Sequence, residues 1–260
     1  MADGEPQAFF ECDGDLFRPT DHARGPWSRE SLHGRVLAGL LAREVERRFG
    51  DEAFLPARLT VDLFRAPPFA PVAVSAEIVR DGNRIRVADG SLTSGGVEIA
   101  RASVAMLRRS EQPEGTVWSP PSWSVPLPEE MELPPQRPGR MPIWETRSLT
   151  PSFGGTEQKR AWLRETRALV AGEELSPLVR VAVACDFTNP FANSGERGLN
   201  FVNADITLYL HRLPVGEWLG FEVASHQSAE GIAVAECALY DTRGPIGRSL
   251  VCALANQHRR

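Results

Sequence analysis

Two stretches of this chain, 147 residues apart, carry nearly the same pattern. Leu59-Thr60-Val61-Asp62-Leu63-Phe64-Arg65-Ala66-Pro67 and Ile206-Thr207-Leu208-Tyr209-Leu210-His211-Arg212-Leu213-Pro214 share Thr, Leu, Arg and Pro at fixed offsets. Aliphatic residues match aliphatic residues elsewhere in the two copies. A repeat of this length marks one supersecondary unit used twice, which restricts the fold to architectures with two like halves. Two packed copies also create a seam, and a site is best sought where the copies differ.

The order of predicted elements repeats as well. In the first half, Leu32, Val36, Leu37, Leu40, Leu41 and Val45 recur at helical spacing, which predicts a helix over 32–48 stopped by Gly50. Alternating or β-branched runs at 58–65, 72–80, 84–93 and 98–107 follow, separated by turn residues, and read as an antiparallel meander. In the second half, strands are expected at 144–147 and 159–168. A capping Ser176 and Pro177 then open a shorter, Ala- and Val-rich helix over 178–187. Strands at 205–212, 218–225, 232–240 and 246–255 complete the copy.

Between the halves, residues 113–142 hold nine prolines, which forbid both a helix interior and a central strand. This reads as an extended linker, with Trp118 and Trp123 holding it against the protein. The expected organisation is an N-terminal domain over 1–110, a proline-rich linker over 111–142 and a C-terminal domain over 143–260.

A formal charge of −5 argues against nucleic-acid or anionic-membrane partners, which select a basic face. No apolar run approaches the length of a membrane span, and the polar start at 1–6 lacks the features of a signal peptide. Cys12, Cys185, Cys237 and Cys252 are scattered with no metal or CxxC spacing, as expected of unpaired thiols in a reducing cytoplasm. Nor do His22, His33, His211, His226 and His258 show ligand spacing, so no metal is expected. There is no GxSxG elbow, Walker loop, GxGxxG fingerprint or HExxH helix.

Several pieces together resemble the double-hotdog acyl-CoA thioesterases, the thioesterase II-like family. They are Leu32-His33-Gly34-Arg35-Val36-Leu37-Ala38-Gly39, Phe64-Arg65, Arg80-Asp81-Gly82-Asn83, then Asp205, His211-Arg212, Glu217-Trp218, Tyr240-Asp241 and Gly244. The resemblance spans nearly the whole chain apart from the linker. It implies an α+β double hotdog: two antiparallel sheets, each wrapped around a central helix, fused as an intrachain pseudo-dimer. It also implies hydrolysis of a fatty acyl-CoA thioester, with acyl-CoA as the small-molecule partner and no cofactor.

Thioester hydrolysis requires donors for the developing oxyanion and a carboxylate to hold and deprotonate water. The resemblance points to the helix start at His33 and Gly34 for the donors; the alternative for Gly34 is that it only permits close helix packing. It assigns the carboxylate to Asp205, whose repeat counterpart is the cation Arg58, so one site per chain is expected. Asp62, aligned with Tyr209, is read either as a partner of a nearby arginine or as a second site. A hydroxyl partner falls in Ser225-His226-Gln227-Ser228, which makes His226, Gln227 and Ser228 candidates. The family's last-strand glutamine falls among Leu250, Val251 and Cys252 and is absent; Cys252 reads as a small buried hydrophobe rather than a nucleophile. Trp27, Val36 and Leu40 are expected to line the acyl site between the two helices. Asn189-Pro190 resembles a hotdog hydratase motif, but the histidine and aspartate expected just after it are missing. The competing reading is a degenerate hotdog pair that binds acyl-CoA or another apolar ligand without turnover. Exposed sheet edges make a homo-oligomer an open expectation.

Overall fold

The computed structural model describes residues 7–121, 123–132, 144–150 and 152–256. The rest of the linker, the first six residues and His258 lie outside the described residues. The first half comprises β1 (Ala8–Asp13), β2 (Leu16–Pro19), α1 (Gly34–Phe49), β3 (Phe54–Leu63), β4 (Val72–Asp81), β5 (Ile85–Ser94) and β6 (Val97–Arg108). The second begins with β7 (Glu145–Ser148), β8 (Arg160–Arg164), β9 (Ala168–Val170), α2 (Pro177–Cys185) and α3 (Thr188–Asn193). It continues through β10 (Ser194–Gly195), β11 (Gly198–Leu199) and β12 (Phe201–Asn203) to β13 (Asp205–Leu210), β14 (Trp218–Ala229), β15 (Ile232–Asp241) and β16 (Gly244–Ala255).

Each meander curls around its own helix, which is the hotdog arrangement. The helix stripe drives this: Val36, Leu37, Leu40 and Leu41 of α1 are fully buried against the sheet. The α1 chain stops where the Gly50 N–H turns back onto the Glu46 carbonyl at 2.8 Å. At the other helix, Ser176 Oγ accepts the Val179 N–H at 3.1 Å. The two helices touch closely, and a Cβ at Gly39 would lie 2.6 Å from Val183.

The expected second helix does not run through 187. Pro190 has no N–H to donate to the Asp186 carbonyl four residues back. The Asn189 N–H takes that carbonyl instead, at 3.2 Å, and Phe187 N–H bonds Ala184 O at 3.0 Å. The backbone tightens at Asp186 and resumes as α3. The expected strand at 159–168 is likewise split into β8 and β9 around Glu165.

The two sheets join edge to edge into one 14-stranded sheet among the described residues. The join is β13 antiparallel to β3, the two repeat strands themselves, with Thr207 directly opposite Thr60 and their hydroxyls 3.3 Å apart. A local twofold axis therefore passes between these threonines. It exchanges Asp205 with Arg58 and Asp62 with Tyr209, so the aligned partners are not neighbours. What faces Asp205 across the ladder is Asp62, and what faces Tyr209 is Arg58.

Strand alternation then divides the side chains. Ile206 and Leu208, like Leu59 and Val61, point to the helices and are buried. Asp205, Thr207 and Tyr209 point to the outer face, with Arg58, Thr60 and Asp62 beside them.

The boundary between halves is less clean than the linker implies. β1, from the first half, pairs in parallel with β9 of the second. Arg35 of α1 reaches Glu165 at 2.7 Å, both buried, with its guanidinium 4.2 Å from the Trp144 ring and 4.6 Å from Phe9. Of the two tryptophans in the proline-rich segment, Trp123 lies on the protein. Trp123 stacks on Tyr240 at 4.4 Å and sits 5.0 Å from Trp162, over a spot that Gly220 leaves bare. Trp118 is 83% exposed.

Candidate active site

A cavity of about 350 Å³ opens at the seam, with walls from both halves. The first half contributes the start of α1 and the segment after β3: Trp27, Leu32, His33, Gly34, Leu37, Leu63 and Arg65. The second contributes the α2–α3 break and β12: Asp186, Asn189, Pro190, Val202 and Asn203. Much of this lining is apolar, and two of its polar side chains, His33 and Asn203, meet at Asp186.

Asp186 is buried. Its Oδ1 accepts the Asn203 side-chain amide at 3.0 Å, and its Oδ2 lies 3.1 Å from His33 Nδ1. Burial by itself would raise this carboxyl. The His33 hydrogen bond and charge, the Asn203 amide and the Arg35 charge outweigh it and hold the carboxyl below its ordinary value. Gly34 supplies the space: a Cβ there would sit 3.3 Å from both carboxylate oxygens. Gly34 is the first residue of α1, where backbone N–H groups lack intrahelical acceptors by the geometry of any helix start. The arrangement sets N–H donors and a positive helix end against a buried carboxylate, within an apolar pocket.

The candidates from the sequence are distributed over four places. His33, Gly34 and Trp27 line this cavity. Val36 and Leu40 do not: both are fully buried in the core, one helix face away, and Leu37 takes the lining position. Asp205 is on the outer face of the sheet, where its carboxylate accepts the Cys252 backbone N–H at 2.6 Å. Only its backbone touches the site, through the Asn203 amide at 3.3 Å from the Asp205 carbonyl. Asp62 is exposed on the same outer face, opposite Arg101 in the β3–β6 register, but that arginine pairs with Glu98 at 2.9 Å. Asp62 is not among the residues that line the seam cavity. Cys252 is also outside; partial burial, the Asp205 contact and the Asp62 charge push its thiol up to about 11.

His226 lines a second, open cavity of about 760 Å³ bordered by Lys159, Asn193 and Phe201, and Ser228 Oγ lies 3.3 Å from its Nε2. A bulge between Val223 and Ser225 shifts the β14 register, so that His226 and Ser228 lie opposite the buried Ala235 and Ala233. His226 Nδ1 meets Asn193 Oδ1 at 2.7 Å, and Asn193 donates to Asn189 Oδ1 at 2.8 Å. His226 thus reaches the seam cavity only through two asparagines. Gln227 is exposed opposite Val234 on the outer face.

Asp186 and Asn203 are the site residues that sequence reasoning missed. Nothing in the repeat singles them out. One signal was present: Pro190 lies four residues beyond an aspartate in an otherwise apolar helix, which predicts a helix break at that aspartate.

Two hotdogs joined through their repeat strands, with a helix start facing a buried carboxylate at the seam, make this a double-hotdog protein with a candidate catalytic centre between its halves. The chain belongs to the acyl-CoA thioesterase family: the family's N-terminal domain matches residues 23–107 and its C-terminal domain residues 111–250. Solved structures agree on the fold. A hot dog-fold protein of Alicyclobacillus acidocaldarius is similar at 15% identity and a TM-score of 0.74, over 96% of each chain. The tesB protein of Mycobacterium avium subsp. paratuberculosis is similar at 15% identity and 0.68, over 95% of each. An acyl-CoA thioesterase II of Mycobacterium marinum is similar at 16% identity and 0.63, over 94% of each. No curated protein sequence matches the chain significantly. Among the described residues, no helix is long and apolar enough to cross a membrane.

Proposed function

We propose that this chain hydrolyses a fatty acyl-CoA at the seam cavity, with Asp186 rather than Asp205 as the carboxylate that drives water attack. The observation that carries this reading is the buried Asp186 carboxylate, which lies against Gly34 at the start of α1. A thioester carbonyl placed at that helix start meets N–H donors on one side and the carboxylate on the other. The apolar walls suit an acyl chain, and Arg65 is a cation on the lining suited to a phosphate of coenzyme A. The four cysteines are free thiols, which fits a reducing compartment as the place of action.

The test is a hydrolysis screen over acyl-CoA chain lengths with wild type, Asp186→Asn and Asp205→Asn. Asp186→Asn is expected to lose at least about a hundredfold in kcat, the usual scale for a group on which proton transfer from the attacking water depends. Asp205→Asn is expected to stay within a few-fold of wild type, since its carboxylate bonds the backbone on the outer face. The reverse order would return the role to Asp205. Tight acyl-CoA binding by a wild type that turns nothing over would favour the binding module instead.

A further inference from the structure

We propose that His33 is the proton-transfer residue of this site, with Asp186 acting through it as its positioning carboxylate. The inference rests on the thioesterase reading above and assigns a task that reading leaves open, namely which atom takes the proton of the attacking water. His33 Nδ1 has two neighbours, Asp186 Oδ2 at 3.1 Å and the Arg35 backbone N–H at 3.4 Å. One nitrogen cannot donate to the first and accept from the second. The carboxylate contact is the shorter and is charge-assisted, so Nδ1 carries the hydrogen and the capping contact is secondary. That leaves Nε2, on the other side of the ring, as the basic nitrogen of a side chain that lines the cavity.

The surroundings of Asp186 favour the same division of labour. Each of its oxygens already meets an N–H donor, one from His33 and one from Asn203. The low carboxyl makes it a weak base near neutrality, which leaves the free imidazole nitrogen of His33 as the group placed to take a proton. Asn203 is itself placed by the Asp205 carbonyl, so the order Asn203–Asp186–His33 runs from the sheet to the cavity. A base oriented by a second group, itself held by a third, is the recurring layout of hydrolytic sites.

The step balances without further reactants. Water oxygen attacks the thioester carbon as one of its protons passes to Nε2, and the carbonyl oxygen becomes the oxyanion at the start of α1. Collapse of that intermediate breaks the carbon–sulfur bond, and the imidazolium returns its proton to the departing thiolate. The products are the carboxylic acid and free coenzyme A, with His33 neutral again.

The experiment uses the full chain and an acyl-CoA that wild type turns over. His33→Asn keeps a side chain able to cap α1 but has no basic nitrogen. It is expected to lower kcat by about a hundredfold or more with KM little changed, and to remove the acidic limb from the pH profile of kcat/KM. His33→Ala should regain part of its rate when free imidazole is added. Retention of rate to within a few-fold with the same acidic limb would overturn the proposal. So would a loss with the limb intact and no rescue by imidazole, which marks a structural role. If wild type hydrolyses no acyl-CoA, the thioesterase reading itself fails and takes this inference with it.

Discussion

Asp241 shows how a motif residue can be structural rather than catalytic. Its carboxylate takes both guanidinium nitrogens of Arg212, at 2.5 and 2.7 Å, and the backbone N–H groups of Val215 and Arg243, each at 2.8 Å. The same Arg212 donates to the Gly244 carbonyl at 3.0 Å. The scattered pieces His211-Arg212, Tyr240-Asp241 and Gly244 are therefore one tie between the end of β13 and the β15–β16 turn. Burial pushes the Asp241 carboxyl up, but the bonds from Arg212 and the two amides prevail and hold it below the ordinary aspartate value. A carboxyl lowered by folding contributes stability that is complete above its unfolded pKa, about 3.9, and is lost as pH falls through that value toward the folded one. Urea unfolding of wild type is thus expected to weaken from neutral pH to about pH 4 and below, whereas Asp241→Asn should begin less stable and lose less over the same interval. An equal pH dependence for both proteins would exclude Asp241 from the effect.

At the scale of elements, the break between α2 and α3 is what brings a carboxylate to the cavity. Pro190 is its cause, because the missing N–H frees the Asp186 carbonyl from a regular helical bond. Restoring that N–H with Pro190→Ala should straighten the segment, move the Asp186 side chain relative to His33 and lower kcat, while thermal stability holds or rises. Unchanged kcat in a variant with increased helicity would show that the break is incidental to the site. The bulge in β14 works in the same way on a smaller scale. It brings His226 onto α3 and away from the outer face, where unbroken alternation would put it.

Among the ties that cross the seam of the whole molecule are β13 on β3, β1 on β9 and the buried Arg35–Glu165 pair. Burial lowers the Arg35 guanidinium to about 10, and Glu165 is the charge that opposes this. Removing one partner of such a pair leaves the other charge buried, at a typical cost of about 3–5 kcal/mol. Glu165→Ala is therefore expected to destabilise both halves together. Calorimetry should show one unfolding transition in wild type and in the variant, shifted to lower temperature in the latter. Two separated transitions would mean that the halves fold as independent domains.

The duplication, the helix stripes and the meanders were legible in the sequence because local periodicity encodes them. Leu32 to Val45 at helical spacing and the alternating strands require no knowledge of what they pack against. The family resemblance directed attention to His33 and Gly34 at the helix start, and both line the seam cavity. Asp205 was harder. Its place six residues before His211-Arg212 is a linear property, while its outward direction follows from which side of β13 faces the helices. The carboxylate that reaches the cavity, Asp186, was hidden in an apolar helix whose break depends on a proline four residues away. A sequence sets which residues alternate and repeat; it does not say which face closes over a cavity, because that depends on two halves meeting along β3 and β13. Tertiary structure decided that point, and with it the pairing of His33 from one half with Asp186 from the other, 153 residues further along the chain.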